Sequence, residues 1–242
     1  MTETLRAPRE SPVAPAPPPS ARPTVYALVG AAAAFASAAL IWLSRSWEPT
    51  IQYVSQLGAT GMPTAPVFNT ALLLLAVAAV LVDRAATASR TTYVAGWPVA
   101  FTLLICGMCF GLASVVTCSR GCPVPFTPGA LPQDTIHIAA AVLGFVLAIV
   151  AMGQVALLRR RPWMRATSLV ILVAVGVTAF AGAMIALFRG DTGLGGNLEF
   201  TAATLAIVWF GVFALQIAGD ERASRERDEV LTASSMSSRG DR

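Results

Sequence analysis

The sequence predicts an all-α fold, a bundle of six transmembrane helices with a short interfacial helix in the first outer loop. Three observations carry that prediction. Six apolar blocks alternate with short polar stretches, each block close to the ~20 residues that a helix needs to cross ~30 Å of hydrocarbon. None of the blocks carries Asp, Glu or Arg in its interior. The third observation is the asymmetry of the basic residues, which are all arginine and fall overwhelmingly into alternate inter-block segments.

Composition agrees. At 242 residues, 55% apolar and only 12% charged, the chain is too hydrophobic for an ordinary soluble domain. A net charge of +4 is no sign of nucleic-acid binding here. The arginines stand beside Asp and Glu at helix ends, where they orient spans near anionic lipid. Exclusive use of arginine and a high alanine content point to a GC-rich bacterial genome, and so to a bacterial plasma membrane.

The first 23 residues hold Pro12, Pro15, Pro17, Pro18, Pro19 and Pro23 and read as a disordered tail. Block one, Thr24–Leu43, is longer than a signal-peptide core. It ends in Trp42 and Arg45 rather than a cleavage site, so an uncleaved first helix is expected. Block two is Ala65–Val82, block three Tyr93–Thr117, block four Ile136–Leu158, block five Ser168–Phe188 and block six Thr201–Ala218. Arg6, Arg9, Arg22, Arg84, Arg90, Arg159, Arg160, Arg161, Arg165, Arg222, Arg225, Arg227, Arg239 and Arg242 share one side, against Arg45, Arg120 and Arg189 on the other. The positive-inside rule then places both termini in the cytoplasm. Residues 24–218 form the helical domain. Residues 219–242 mix both charge signs before a Ser-rich end and read as a solvated tail, with a few further turns of helix six as the alternative.

Inner loops are short; outer loops hold most of the informative residues. In the first, Pro49 suits an opening helical turn and Gly58 a C-terminal cap. Trp47, Ile51, Val54 and Gly58 share one stripe, which predicts a helix lying in the interface and anchored by Trp47 and Tyr53. Helix three contains Gly107 and Gly111 at G-x-x-x-G spacing, and helix five has Ala179, Gly182, Ala183 and Ala186. Small residues one turn apart let helices approach closely. Packing within the bundle is the expected use, and homo-oligomerisation the alternative.

Cys118-Ser119-Arg120-Gly121-Cys122 lies in the second outer loop, where conditions are oxidising and three residues with a glycine permit a disulfide. Cys106 and Cys109, inside helix three, read as buried thiols. The only histidine, His137, follows Asp134 by three residues at the outer end of helix four. Asn69 sits at similar depth on helix two, Glu199 with Thr201 opens helix six, and Ser55 hangs above. Polar groups just inside a membrane mark a candidate site, or fix helix packing by hydrogen bonding. One histidine with scattered carboxylates falls short of the sets that zinc uses, so neither a metal nor a cofactor is expected.

Ser55-Gln56-Leu57-Gly58-Ala59, then Phe68-Asn69, then Asp134 with His137-Ile138-Ala139-Ala140 and Phe145 resemble the bacterial family catalogued as domain of unknown function 998 (DUF998). The likeness covers Tyr26–Ala218 and implies a six-helix integral membrane protein. It supplies no reaction. A looser similarity reaches the Frag1, DRAM and Sfk1 group, associated with lipid and membrane handling. Gln56 stands where the family often has an acid, and the loop before helix six lacks the family's arginine.

Three functions are open on these residues. The preferred one is non-enzymatic binding or sensing of a membrane lipid or small amphiphile, its headgroup held by Ser55, Asn69, Asp134, His137 and Glu199. The second is an intramembrane lipid hydrolase, with Ser55 as nucleophile, His137 as base and Asp134 orienting it. No G-x-S-x-G turn accompanies that set. The third is a small-solute transporter, for which no span offers an internal charge or a broken helix.

Overall fold

The computed structural model describes residues 21–89, 93–94, 97–157, 162–188 and 192–240. The Pro-rich tail up to Ser20 lies outside the described residues, as do the arginines at 90, 159–161, 189 and 242. The fold is all-α: α1 (Arg22–Trp47), α2 (Ala65–Ser89), α3 (Val99–Val115), α4 (Pro132–Leu157), α5 (Pro162–Leu187) and α6 (Thr192–Gly240). Five of these are long and apolar enough to cross a membrane; α3, apolar and 17 residues long, is shorter. Each helix packs against its neighbours in the chain, and α1 closes the ring against α6. Consecutive helices therefore run up and down.

Helices α1, α4, α5 and α6 begin earlier than the apolar blocks suggest and α2 begins with its block, which leaves one exception that begins later. Hydropathy marks the part of a helix that lipid can cover, whereas proline at the first turn and polar first turns carry α4, α5 and α6 beyond it. The exception is α3. Its expected start at Tyr93 is corrected to Val99, because Tyr93–Val94 (β1) pairs antiparallel with Trp97–Pro98 (β2). Pro98 explains the change: it lacks an N–H and biases Trp97 toward extended backbone. The interfacial helix is also smaller than expected. Pro49 opens no helix; one 3-10 turn, Val54–Gly58, follows an irregular stretch from Glu48. Val54, Leu57 and Gly58 are buried against the bundle, so this turn is a plug between helix ends.

Small residues set the close approaches. A Cβ added to Gly107 would overlap the Ala79 Cβ, and one on Gly111 would stand 3.2 Å from the Ala76 Cβ. The G-x-x-x-G pair thus packs α3 onto α2. At the outer end of the α1–α6 seam, Trp42 Nε1 donates to Thr204 Oγ1 at 3.0 Å and Arg45 Nη2 to Asn197 Oδ1 at 2.5 Å. The Arg45 guanidinium also lies 3.8 Å from the Phe200 ring centre, a cation–π contact worth about 0.5–2 kcal/mol. Helix α5 is the least enclosed: Leu169, Val170, Val173, Val177 and Phe180 are exposed along it, as lipid-facing residues are. Beyond Ala218, the last buried residue of α6, the helix continues out of the bundle to Gly240.

A matched pair of substitutions tests this packing. Gly107→Ala should lower the thermal midpoint in detergent, overpacking a tight seam at a cost of about 1–3 kcal/mol. At Gly176 a Cβ meets nothing within 4 Å, so Gly176→Ala should hold or raise the midpoint by the helix-propensity gain. Equal shifts in both variants would count against the α2–α3 contact.

Candidate functional site

The loop between α1 and α2 is stitched down from several directions. Gln56 Oε1 accepts the backbone N–H groups of Gln52 and Tyr53, both at 3.2 Å, while its Nε2 donates to the Gly121 carbonyl at 3.2 Å. A carboxylate at this position lacks a proton for that last bond. Thr64 Oγ1 donates to Leu57 O at 2.8 Å, and Asn69 Nδ2 to Gly58 O at 3.3 Å. From α6, Glu199 Oε2 accepts the Val54 N–H at 3.1 Å, and the Ser55 N–H also points to that carboxylate. These are the orphan donors at the start of a helical turn, so Glu199 caps it from across the bundle. The loop lies this close because α6 begins with glycines. A Cβ on Gly196 would overlap the Gln52 carbonyl.

The loop between α3 and α4 meets that between α1 and α2. Cys118 and Cys122 are joined by a disulfide, with Cα atoms 5.1 Å apart. Thr60 N–H donates to Cys118 O at 2.8 Å. Between the two cysteines, Ser119 gives both its backbone N–H (2.6 Å) and its hydroxyl (2.9 Å) to Asp134, which also accepts Leu131 N–H at 2.7 Å. Asp134 is fully buried and holds the disulfide loop to the start of α4.

His137, one turn further along α4, is 2% exposed. Its Nδ1 lies 3.0 Å from Ala113 O and 2.9 Å from Val116 O, at the end of α3. Both carbonyls only accept, so Nδ1 carries a proton, and the tautomer of the uncharged ring is the one with Nε2 as acceptor. A ring nitrogen lies within 4.8 Å of the Cys118 and Cys122 sulfurs. With both sulfurs bonded to each other, that trio offers no thiolate, and a lone histidine is no metal site.

Inside the ring is a cavity lined from α1, α2, α3, α4, α6 and the 3-10 turn. Ser55, His137 and Glu199 line it at the end beneath these two loops. Below them the wall is made of Phe68, Leu72, Leu75, Ala79, Leu103, Gly107, Phe110, Ala141, Phe145, Ala148, Ala203, Ala206, Ile207 and Phe210. From His137 to Ala148 on α4 is eleven residues, about 16 Å of helix. The space open to the centre of a water-sized sphere is about 80 Å³, several times the ~10–15 Å³ that one water needs. The polar atoms deeper in the wall are already partnered: Cys106 Sγ donates to Gly144 O at 3.1 Å, and Trp209 Nε1 to Ser168 Oγ at 2.9 Å.

Three of the five residues singled out from sequence thus meet at one cavity. Asn69 and Asp134 do not line it; their side chains hold the two loops. No hydrogen bond joins Asp134 to His137 among the described residues, so the acid–base relay expected of a hydrolase is not assembled here. The sequence reading missed the cavity wall itself. Its trace is a run of small residues at helical spacing: Ala141 with Ala148, and Ala203 with Ala206. Replacing Asp134 by Ala should free Ser119 and Leu131, speeding reduction of the disulfide and proteolysis of residues 119–131. Asp134→Asn, which keeps one acceptor oxygen, should fall between that variant and the wild type. Charged-group hydrogen bonds contribute about 1.5–3 kcal/mol each, which makes the difference measurable.

No curated protein and no solved structure matches the chain significantly. A family model described as Protein of unknown function (DUF998) matches residues 27–216, nearly the whole helical ring, and on that match the chain belongs to the DUF998 family.

Proposed function

We propose that this protein binds or senses a single-chain lipid or comparable amphiphile in the cavity within its helical ring, taken up from the outer-leaflet side. The cavity carries the reading: Ser55, His137 and Glu199 line it together with an apolar wall that follows α4 for about 16 Å from His137 to Ala148. Ligand sites take this form, mostly apolar with a few placed polar groups.

In this reading all six helices cross the bilayer of a bacterial plasma membrane. Helix α3, at 17 residues, sits at the lower end of the workable range. Both termini are cytoplasmic, following the arginines, and the cavity mouth faces out. The hydrolase alternative has less support, because Asp134 is committed to Ser119 and Leu131 rather than to His137. A transporter has less still: below Glu199 and His137 no ionisable side chain other than the Cys106 thiol lines the cavity, leaving a polar solute no further steps.

Two measurements test the reading. In native mass spectrometry from nanodiscs, wild type should retain a single-chain lipid. His137→Ala should retain less, and Ala203→Phe, which fills the wall, should lose it; equal retention by all three would overturn the proposal. For topology, single cysteines at Thr127 and Ser234 in a background lacking the native ones should label from opposite sides of intact cells. Labelling from the same side would remove the proposed orientation.

A further inference from the structure

The polar end of the cavity is chemically one-sided. The His137 ring turns its Nδ1 proton toward the Ala113 and Val116 carbonyls, so that in the uncharged ring the lone pair is on Nε2. Glu199 accepts from Val54 and Ser55, and a carboxyl group has lone pairs beyond those two bonds. Ser55 brings a hydroxyl, which makes no other hydrogen bond among those described. Among the described residues no arginine lines the cavity; Arg45 is paired with Asn197 and the Phe200 ring. Whether Glu199 is ionised or neutral, it brings no positive charge. An anionic head buried here would lose its water without gaining a cation, which is costly in an apolar setting.

Resting on the amphiphile-binding reading, we infer that the ligand is a single-chain amphiphile with an uncharged, hydrogen-bond-donating hydroxyl head, a long-chain alcohol or monoacylglycerol in chemical class. Its hydroxyl donates into the acceptor set of His137 and Glu199 and accepts from Ser55. The chain follows the wall between Ala79, Gly107, Ala148 and Ala203, where no unpartnered polar group competes for it. Volume limits the chain number: about 80 Å³ open to the centres of water-sized spheres favours one chain over two. Selection is by hydrogen-bond direction and charge, because the apolar channel treats equal chains alike.

Three probes with the same sixteen-carbon chain separate these elements: hexadecanol, its methyl ether and hexadecanoate. Each is titrated against the full-length protein in nanodiscs of one neutral lipid, with binding read by competition against a fluorescent monoacylglycerol. The alcohol should bind about tenfold or more tightly than the ether, because a lost hydrogen bond to a buried acceptor costs about 1.5–3 kcal/mol. It should exceed the carboxylate by at least as much. His137→Ala, which removes an acceptor, should narrow the gap between alcohol and ether, whereas Ser55→Ala, which removes a donor that both oxygens accept from, should weaken the two alike. Equal affinities for alcohol and ether, or preference for the carboxylate, would overturn the hydroxyl assignment and leave amphiphile binding standing. If neither the fluorescent probe nor any of the three binds, the binding reading falls along with it.

Discussion

Hydrocarbon offers no hydrogen bonds, and that constraint governs where this chain puts its polar groups. Along the helices several polar side chains bond back to their own or a neighbouring helix: Thr70 to Pro66 O, Thr178 to Ala174 O, Thr204 to Phe200 O, and Ser168 Oγ accepts from the Trp209 indole. What cannot be satisfied within a helix is gathered at the outer end. There two loops must cross over the ring, and each exposed stretch of backbone needs a partner. Glu199, Gln56, Thr64, Asn69 and Asp134 supply those partners. The lid over the cavity exists because side chains from α2, α4 and α6 substitute for absent water.

That accounting separates a group that closes the structure from one that is available to a ligand. Asp134 is committed to three donors from the loop, and Asn69 gives its Nδ2 to the Gly58 carbonyl while its Oδ1 has no partner among the described residues. His137 and Glu199 stand between these extremes. Each has bonds that fix its orientation, and each lines the cavity with capacity to spare. A binding group needs both properties, since a side chain without a tether offers no fixed geometry. The disulfide completes the arrangement by fixing the loop that carries Ser119, the principal partner of Asp134.

Much of this was legible in the sequence. Helix number follows from apolar runs, because a continuous apolar stretch of this length has few other stable uses. The depth of Ser55, His137 and Glu199 follows from the alternation of direction between successive spans. The helix ends were less legible, for physical reasons. Hydropathy reports contact with lipid, whereas a helix ends where its backbone bonds end. At Tyr93 the apolar run continues although Pro98 interrupts the helix, and at Thr192 the helix begins in a glycine-rich stretch that reads as loop. Those glycines are kept by neighbours: Gly196 leaves room for Gln52, a residue 144 positions away in sequence. No local pattern announces such a contact.

The distinction between Asp134 and His137 was beyond reach for a related reason. Three residues apart on one helix, they share a face and suggest a couple. The partners that separate them come from elsewhere: Ser119 from the disulfide loop and the Ala113 and Val116 carbonyls from the end of α3. Helix spacing fixes which side chains are close but not which bonds they make, since a buried polar atom takes the donor or acceptor with the best geometry. Here the last turn of α3 leaves carbonyls without helical partners, and a ring N–H is what such carbonyls require. His137 supplies it. The same need that ties the imidazole to α3 orients its second nitrogen as an acceptor, so the chemistry of the cavity head follows from how a neighbouring helix ends.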